Sequence, residues 1–313
     1  MSADRYYYKH NHLQQLRGFC YAMQTSSISK AAERMRLSQP SVSLQIQALE
    51  KELGVILFER RGPRIQPTPE GHILYDIALP LVEGFDGLTE TFSALRGSLD
   101  QGEVNIAAGE STILYLLPNT VKRFAEHHPG IRVRFHNGPG LQGLRQLRED
   151  EADFAVGSFR GEPPDDISYQ PIYSFAQELI APADHPLARQ QDIELADISP
   201  YKFILPPRHL NTFSMVEVAF QQLNLPLDVC LEAGGWEVIK EYVRMGIGIS
   251  IVSGICLHPG EPFFRYSLQR YFPKRTYGVI MRRGKFLSPQ AKRFIEFIDP
   301  QFFARRSGAK GAE

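Results

Sequence analysis

Behind Ser38 and Pro40 the chain places Gln39, Ser41, Ser43 and Gln45, small hydroxyl and amide side chains without charge. Such groups read base edges in a major groove, and the first N–H groups of a helix meet phosphate. Further on, Arg60, Arg61 and Arg64 bracket a Gly62-Pro63 turn. That spacing suits a basic hairpin laid across phosphates. The plainer reading is an amphipathic helix with a polar outer face. Local charge favours the first. Residues 10–66 hold two lysines and six arginines against four glutamates, a balance of +4 in a chain of formal net charge +0.

A second set begins at Gly109-Glu110-Ser111-Thr112, after an apolar run and at the start of a helix. Backbone N–H groups and two hydroxyls there offer an anion site, or the hydroxyls only cap the helix. Glu110 opposes an anion unless it faces solvent or the ligand carries an amine. Asn137, Gly138 and Pro139, the stretch from Pro206 to Asn211, and Gly234, Gly235 and Trp236 also follow strand-like runs, where open α/β sheets bind ligands. Trp236, the single tryptophan, serves equally as a packed aromatic. The three cysteines are sparse and odd in number, as in a reducing cytoplasm. Cys20 reads as core. Cys230 and Cys256 are either structural or a redox pair, and no adjacent basic residue lowers their pKa. No histidine and cysteine spacing suggests a metal, and no nucleophile elbow or Walker loop is present, so neither catalysis nor a cofactor is expected.

The elements that must position these groups follow from periodicity. His12 to Thr25 reads as a first helix, with Leu13, Leu16, Phe19, Cys20 and Met23 inward and with Gln15 and Arg17 on a solvated or phosphate-touching face. Ser29 caps a short second helix, Lys30 to Met35. Ser38 caps a third, with Pro40 in its first turn, Val42, Ile46, Leu49 and Leu53 as its apolar stripe, and Gly54 as its left-handed end. Val55 to Glu59 reads as a strand. Thr68 and Pro69 open a long helix whose seam is Leu74, Ile77, Leu81, Phe85, Leu88, Phe92 and Leu95, spacing that asks for a partner helix. A kink is expected near Pro80, and Gly84 and Gly87 weaken the helix further. After a hinge-like Gly97 to Gly102, strands and helices alternate to Ile298, which predicts a mostly parallel sheet with helices on its faces. Chain crossovers are expected near Gly157 to Pro164 and near Phe264 to Leu268.

At 313 residues with 43% hydrophobic content, two or three domains are expected. No apolar run is long enough for a membrane span, and the start of the chain, with its three tyrosines in a tail, lacks an export signal. Residues 265–313 carry twelve basic groups against three acids, while residues 67–264 carry 13 against 27. The C-terminal surplus, including Arg305, Arg306 and Lys310, is either a second DNA-binding tail or the counterpart of that acidity.

The stretch AAERMRLSQPSVSLQIQALEKELGVILFER closely resembles the signature of LysR-type transcriptional regulators, essentially without gaps from about Leu13 to Gly71. Many members carry a basic residue where Leu44 stands here, so a contact is either lost at that point or replaced by a thymine methyl. GLQGLRQLREDEADFAVG and EVIKEYVRMGIGISIV resemble the effector domain of the same family, which is similar to periplasmic solute-binding proteins. VIKEYV is similar to the CysB-like sulfur-metabolism branch.

The resemblance implies an α/β fold class with an N-terminal all-α winged helix-turn-helix and an effector part of two Rossmann-like lobes. The units would be 1–67 for DNA binding, 68–98 for the linker helix and 99–313 for the effector, with lobe I about 99–162 and 268–300 and lobe II about 163–267. Implied partners are double-stranded DNA, a small-molecule effector such as an anion or sulfur metabolite, and further copies of the chain, as a dimer through the linker helix and a tetramer of two dimers. RNA polymerase is a further partner to expect, and the compartment is the cytoplasm. The rival readings are a redox-sensing regulator, a solute-binding protein or an enzyme.

Overall fold

The computed structural model describes residues 12–61, 64–95, 101–138, 140–159 and 161–309. The tyrosine-bearing tail, the Gly62-Pro63 turn, most of the 97–102 hinge, Pro139 and Lys310 lie outside the described residues.

Three helices form the head: α1 (His12–Thr25), α2 (Ile28–Met35) and α3 (Gln39–Leu53). Ser27, not Ser29, caps α2, because its side chain accepts from the Lys30 N–H and so lengthens the helix by two residues. Arg36 ends α2 in the left-handed region (φ 56°), and Ser38 caps α3 by accepting from the Ser41 N–H at 3.3 Å. Gly54 closes α3 at φ 69°. Phe19, Val42, Ile46, Leu49 and Leu57 are buried together. The strand expected from Val55 starts only at Phe58, because Glu50 Oε1 holds the chain there by accepting from the N–H groups of Leu57 (2.9 Å) and Phe58 (3.4 Å). The wing pairs β1 (Phe58–Arg61) with β2 (Arg64–Pro67), antiparallel.

The linker consists of α4 (Pro69–Asp86) and α5 (Leu88–Leu95). Helix α4 runs through Pro80, and the interruption falls at Gly87 instead. The glycines have a packing reason. Phe286 lies on them, and a Cβ on Gly87 would come within 2.8 Å of its ring.

The rest is two lobes. Lobe I contains β3 (Gly102–Ala108), a π turn (Thr112–Leu116), α6 (Pro118–His127), β4 (Ile131–Asn137), α7 (Leu141–Arg148), β5 (Phe154–Gly157) and β6 (Ile167–Phe175). Lobe II contains β7 (Gln177–Pro182), α8 (Leu195–Ile198), β8 (Lys202–Leu205), α9 (Asn211–Gln222), β9 (Asp228–Glu232), α10 (Trp236–Arg244), β10 (Ser250–Ser253) and β11 (Phe263–Ser267). The chain returns to lobe I with β12 (Arg275–Arg282), α11 (Pro289–Ile298) and α12 (Phe302–Ala309).

Lobe I is one five-stranded sheet in the order β4-β3-β5-β12-β6, whose first three strands are parallel and whose last two joins are antiparallel. Lobe II pairs β8 with β9 in parallel and lays β10 and β11 antiparallel on either side of β7. Both crossovers therefore differ from expectation. Strand β6 belongs to lobe I, so the chain crosses at Ala176 and not at 157–164. Strand β11 belongs to lobe II, so the return lies between Ser267 and Arg275. Val104, Phe124, Phe154, Val279 and Phe294 fill lobe I, and Leu179, Phe203, Phe213, Val216 and Phe220 fill lobe II.

Candidate nucleic-acid interface and effector cleft

Burial of Val42, Ile46 and Leu49 points the opposite face of α3 outward. That face carries Gln39 and Pro40 at the start, then Leu44, Gln47 and Lys51, all exposed, with Ser41 and Ser43 half-buried at its edges and Ser38 exposed at the cap. Gln45 departs from the expected set. Its Oε1 is buried against Gly18 of α1 and accepts no hydrogen bond. Gln47 takes its place and was missed, although it follows Leu44 by three residues and Pro40 by seven. Leu53 is exposed, beyond the stripe it was assigned to. Arg60 and Arg61 on β1 and Arg64 on β2 stand at the tip of the wing, with Arg61 opposite Arg64. Gln15 is buried, and Arg17 donates from Nε to Asp86 Oδ1 at 2.8 Å, so neither keeps the phosphate-facing role considered for it.

The residues expected at a ligand site lie at the carboxyl ends of the parallel strands. Ala108 pairs with Asn137 across β3 and β4, and the Gly138 N–H donates back to the Ala108 carbonyl at 3.2 Å. Gly109 to Ser111 therefore lie beside Asn137 and Gly138. In lobe II, Leu205 pairs with Glu232, which brings Pro206 beside the Gly234-Gly235-Trp236 entry to α10. Ser111 makes no capping bond and is half-exposed. Thr112 is buried, and its N–H and that of Ile113 both turn back to the Gly109 carbonyl (2.9 and 3.1 Å), which reduces the anion cradle expected there. Pro206 is buried and Trp236 packs half-buried on the Ile180, Ile204 and Ile239 cluster, so the packed-aromatic reading describes it.

Tyr115, which motif reasoning missed, joins the two edges. Its hydroxyl donates to Glu237 Oε1 of α10 at 2.9 Å, and the π turn packs on the 3-10 turn at Gly254–Cys256. A tyrosine four residues past Ser111 was legible as one turn further on the same face. The Tyr115 ring also covers Lys240 Nζ at 5.6 Å. Lys240 is 1% exposed and donates to Glu261 (2.6 Å), Glu237 (2.7 Å) and the Cys256 carbonyl (2.9 Å). Burial pulls its pKa down, but the bonds to Glu237 and Glu261 outweigh that and hold it above the usual lysine value. Burial likewise raises Glu261, and the bonds from Lys240 and the His258 N–H outweigh it, leaving the carboxyl below its ordinary value. Burial and the bond to Glu237 push the Tyr115 hydroxyl up.

The redox alternative is not favoured. Cys256 is buried, donates to the Ser253 carbonyl, and has its thiol pushed up to about 12 by burial, the opposite of a reactive thiolate. Cys230 is exposed on β9, and both thiols are free. Among the described residues no cluster could hold a metal ion, and no helix is long and apolar enough to cross a membrane. The C-terminal basic surplus meets acidic partners, as in Arg265–Glu178, Arg270–Asp192 and Arg305–Asp299. The side chain of Arg306 and residue Lys310 lie outside the described residues.

A winged helix-turn-helix on a linker helix, followed by a hinged two-lobed domain with polar groups at its strand ends, defines a DNA-binding regulator with an effector domain. Residues 13–72 match the model of the bacterial regulatory helix-turn-helix protein, lysR family, and residues 97–302 match that of the LysR substrate binding domain. The chain belongs to the LysR family of transcriptional regulators. It is 30% identical over 297 residues to the RuBisCO operon transcriptional regulator of Allochromatium vinosum, covering 92% of this chain and 96% of that one. It is 27% identical over 280 residues to the HTH-type transcriptional regulator CysB of Burkholderia cenocepacia, covering 88% and 89%. The cofactor-binding domain of the Cbl transcriptional regulator superposes with a TM-score of 0.58 at 25% identity, over 66% of this chain and 93% of that one.

Proposed function

We propose that this regulator binds a partly palindromic DNA site as a dimer and takes a small polar effector between its lobes. Gln39, Ser41, Ser43, Leu44 and Gln47 face the bases of the major groove, while the Ser38 end of α3 and the wing arginines meet phosphate. The observation that carries the reading is the exposed, uncharged polar start of α3 beside a basic wing. Two copies pair through the linker, where Ile73, Ile77, Leu81, Phe85, Leu88 and Phe92 stand exposed along one stripe. Two such dimers form the working assembly, and an outward head surface meets RNA polymerase.

The effector meets Ser111 and Asn137 from lobe I and the Gly234-Gly235 entry to α10 from lobe II. A small anion, a sulfur oxyanion among them, suits the N–H groups of Gly109 to Ser111, with Glu110 turned to solvent. Closure of the lobes changes the regulator only because the ligand prefers one state. A thermal-shift screen of the full chain against sulfate, thiosulfate and amino acids tests this. A stabilising compound whose effect disappears in Ser111→Ala supports the cleft. A compound that stabilises parent and Ser111→Ala alike places its site elsewhere.

A further inference from the structure

Two carboxylates and two cations from distant parts of the chain meet where lobe I touches the linker and the head. The Asp150 side chain, 9% exposed, accepts from Arg282 Nη2 at 2.8 Å and from Lys285 Nζ at 2.7 Å. Glu83 of α4 accepts from the same two groups, and its other oxygen accepts from the Phe286 N–H at 2.9 Å. Asp150 Oδ2 accepts from the side chain of Gln24, at the end of α1. Gln24 in turn accepts from Arg34 of α2 at 2.6 Å. Each charge is matched, the condition under which an ion cluster tolerates burial. Phe286 on Gly84 and Gly87 packs the same junction.

Asp150 holds this place at φ 56°, a backbone conformation that side chains with a Cβ rarely adopt. It follows α7, an eight-residue helix that begins just after Asn137-Gly138 at the effector cleft. The cleft end of α7 is locked to that loop. A Cβ on Gly143 would come within 2.4 Å of the Gly138 carbonyl oxygen, and one on Gly138 within 2.1 Å of Gln146 Oε1. A body packed this closely moves as a unit.

We infer that Asp150 is the positioning residue that ties the effector lobe to the DNA-binding head, with α7 as the strut between cleft and head. A shift of the Gly138 loop displaces Asp150 relative to Gln24 and Glu83, and so changes the angle of the helix-turn-helix. The regulatory half rests on the cleft reading above. The positional half does not.

The test is a fluorescence energy-transfer distance in the full chain, with dyes at exposed Glu33→Cys in the head and Glu126→Cys in lobe I, in a Cys230→Ser background diluted with unlabelled chain. It needs neither DNA nor effector, so its failure is separable from failure of the cleft reading. The parent should give one narrow distance. Asp150→Asn keeps a residue suited to the left-handed turn and removes only the charge, so it should broaden the distribution and add a longer population. Gln24→Ala, on the head side of the same bond, should do so too. Parental distance and width in both Asp150→Asn and Gln24→Ala, with each variant's circular dichroism showing it folded, would overturn the assignment.

Discussion

Gln45 and Gln47 are two amides one half-turn apart with opposite surroundings. Gln45 has its carbonyl against Gly18, while Gln47 is exposed beside Leu44. A bidentate amide contact to adenine contributes about 1–3 kcal/mol of discrimination. Gln39→Ala and Gln47→Ala should therefore each weaken specific binding by that order while sparing binding to unrelated duplex. Gln45→Ala should leave the ratio of the two unchanged, as read by fluorescence anisotropy with competitor DNA. Lys240 gives a residue-scale prediction of a different kind. The folded pKa of Glu261 lies below its ordinary 4.5, so this pairing stabilises the protein above that value and is lost as pH falls through the folded pKa. Lys240→Met leaves Glu261 and Glu237 without their cation and should cost about 2–3 kcal/mol at neutral pH, reduced because Glu237 reaches solvent. The gap between parent and variant should narrow below pH 4.5, measured by urea unfolding at several pH values. A gap that widens on acidification would contradict the pairing.

Among elements, the linker shows how far periodicity reaches. The stripe Ile77, Leu81, Phe85, Leu88 and Phe92 was legible and is exposed, but Leu74 turns into the head and Ile73 stands outside in its place. The side chain of Leu95 lies outside the described residues. Six large apolar side chains along one face are not left to water without cost, each worth roughly 1.5–3 kcal/mol when buried. Leu81→Glu places a charge in that seam and should convert the dimer to monomer in sedimentation velocity. A variant that sediments like the parent would remove the linker from the interface. Strands show where pattern reading ran out. Strand β6, with Pro171 in it, lies beyond the crossover expected at 157–164, whereas β11, with Arg265 in it, falls on the one expected at 264–268; both carry the broken alternation of edge positions. Their sheet membership comes from pairing with β12 and β7, which no local signal announces.

At the scale of the molecule, the helix-turn-helix and the alternating strands were legible because caps, glycines and apolar spacing agree locally. The Asp150 and Tyr115 contacts were not, because they join residues far apart: Asp150 to Gln24, 126 positions away, and Tyr115 to Glu237, 122 positions away. Arg282 and Lys285 of the basic C-terminal part meet Glu83 and Asp150 of the acidic middle, which favours internal neutralisation over a second DNA-binding tail. The account stands or falls on the basic head. The most direct measurement is the affinity of the full chain for a duplex selected from random sequence, against a scrambled duplex of the same composition, across a salt titration. The account predicts tighter binding to the selected duplex and a steep linear fall of log affinity with log salt for both, from release of counterions at phosphate. Equal affinity for the two duplexes, or no retention of either at low salt, would contradict it.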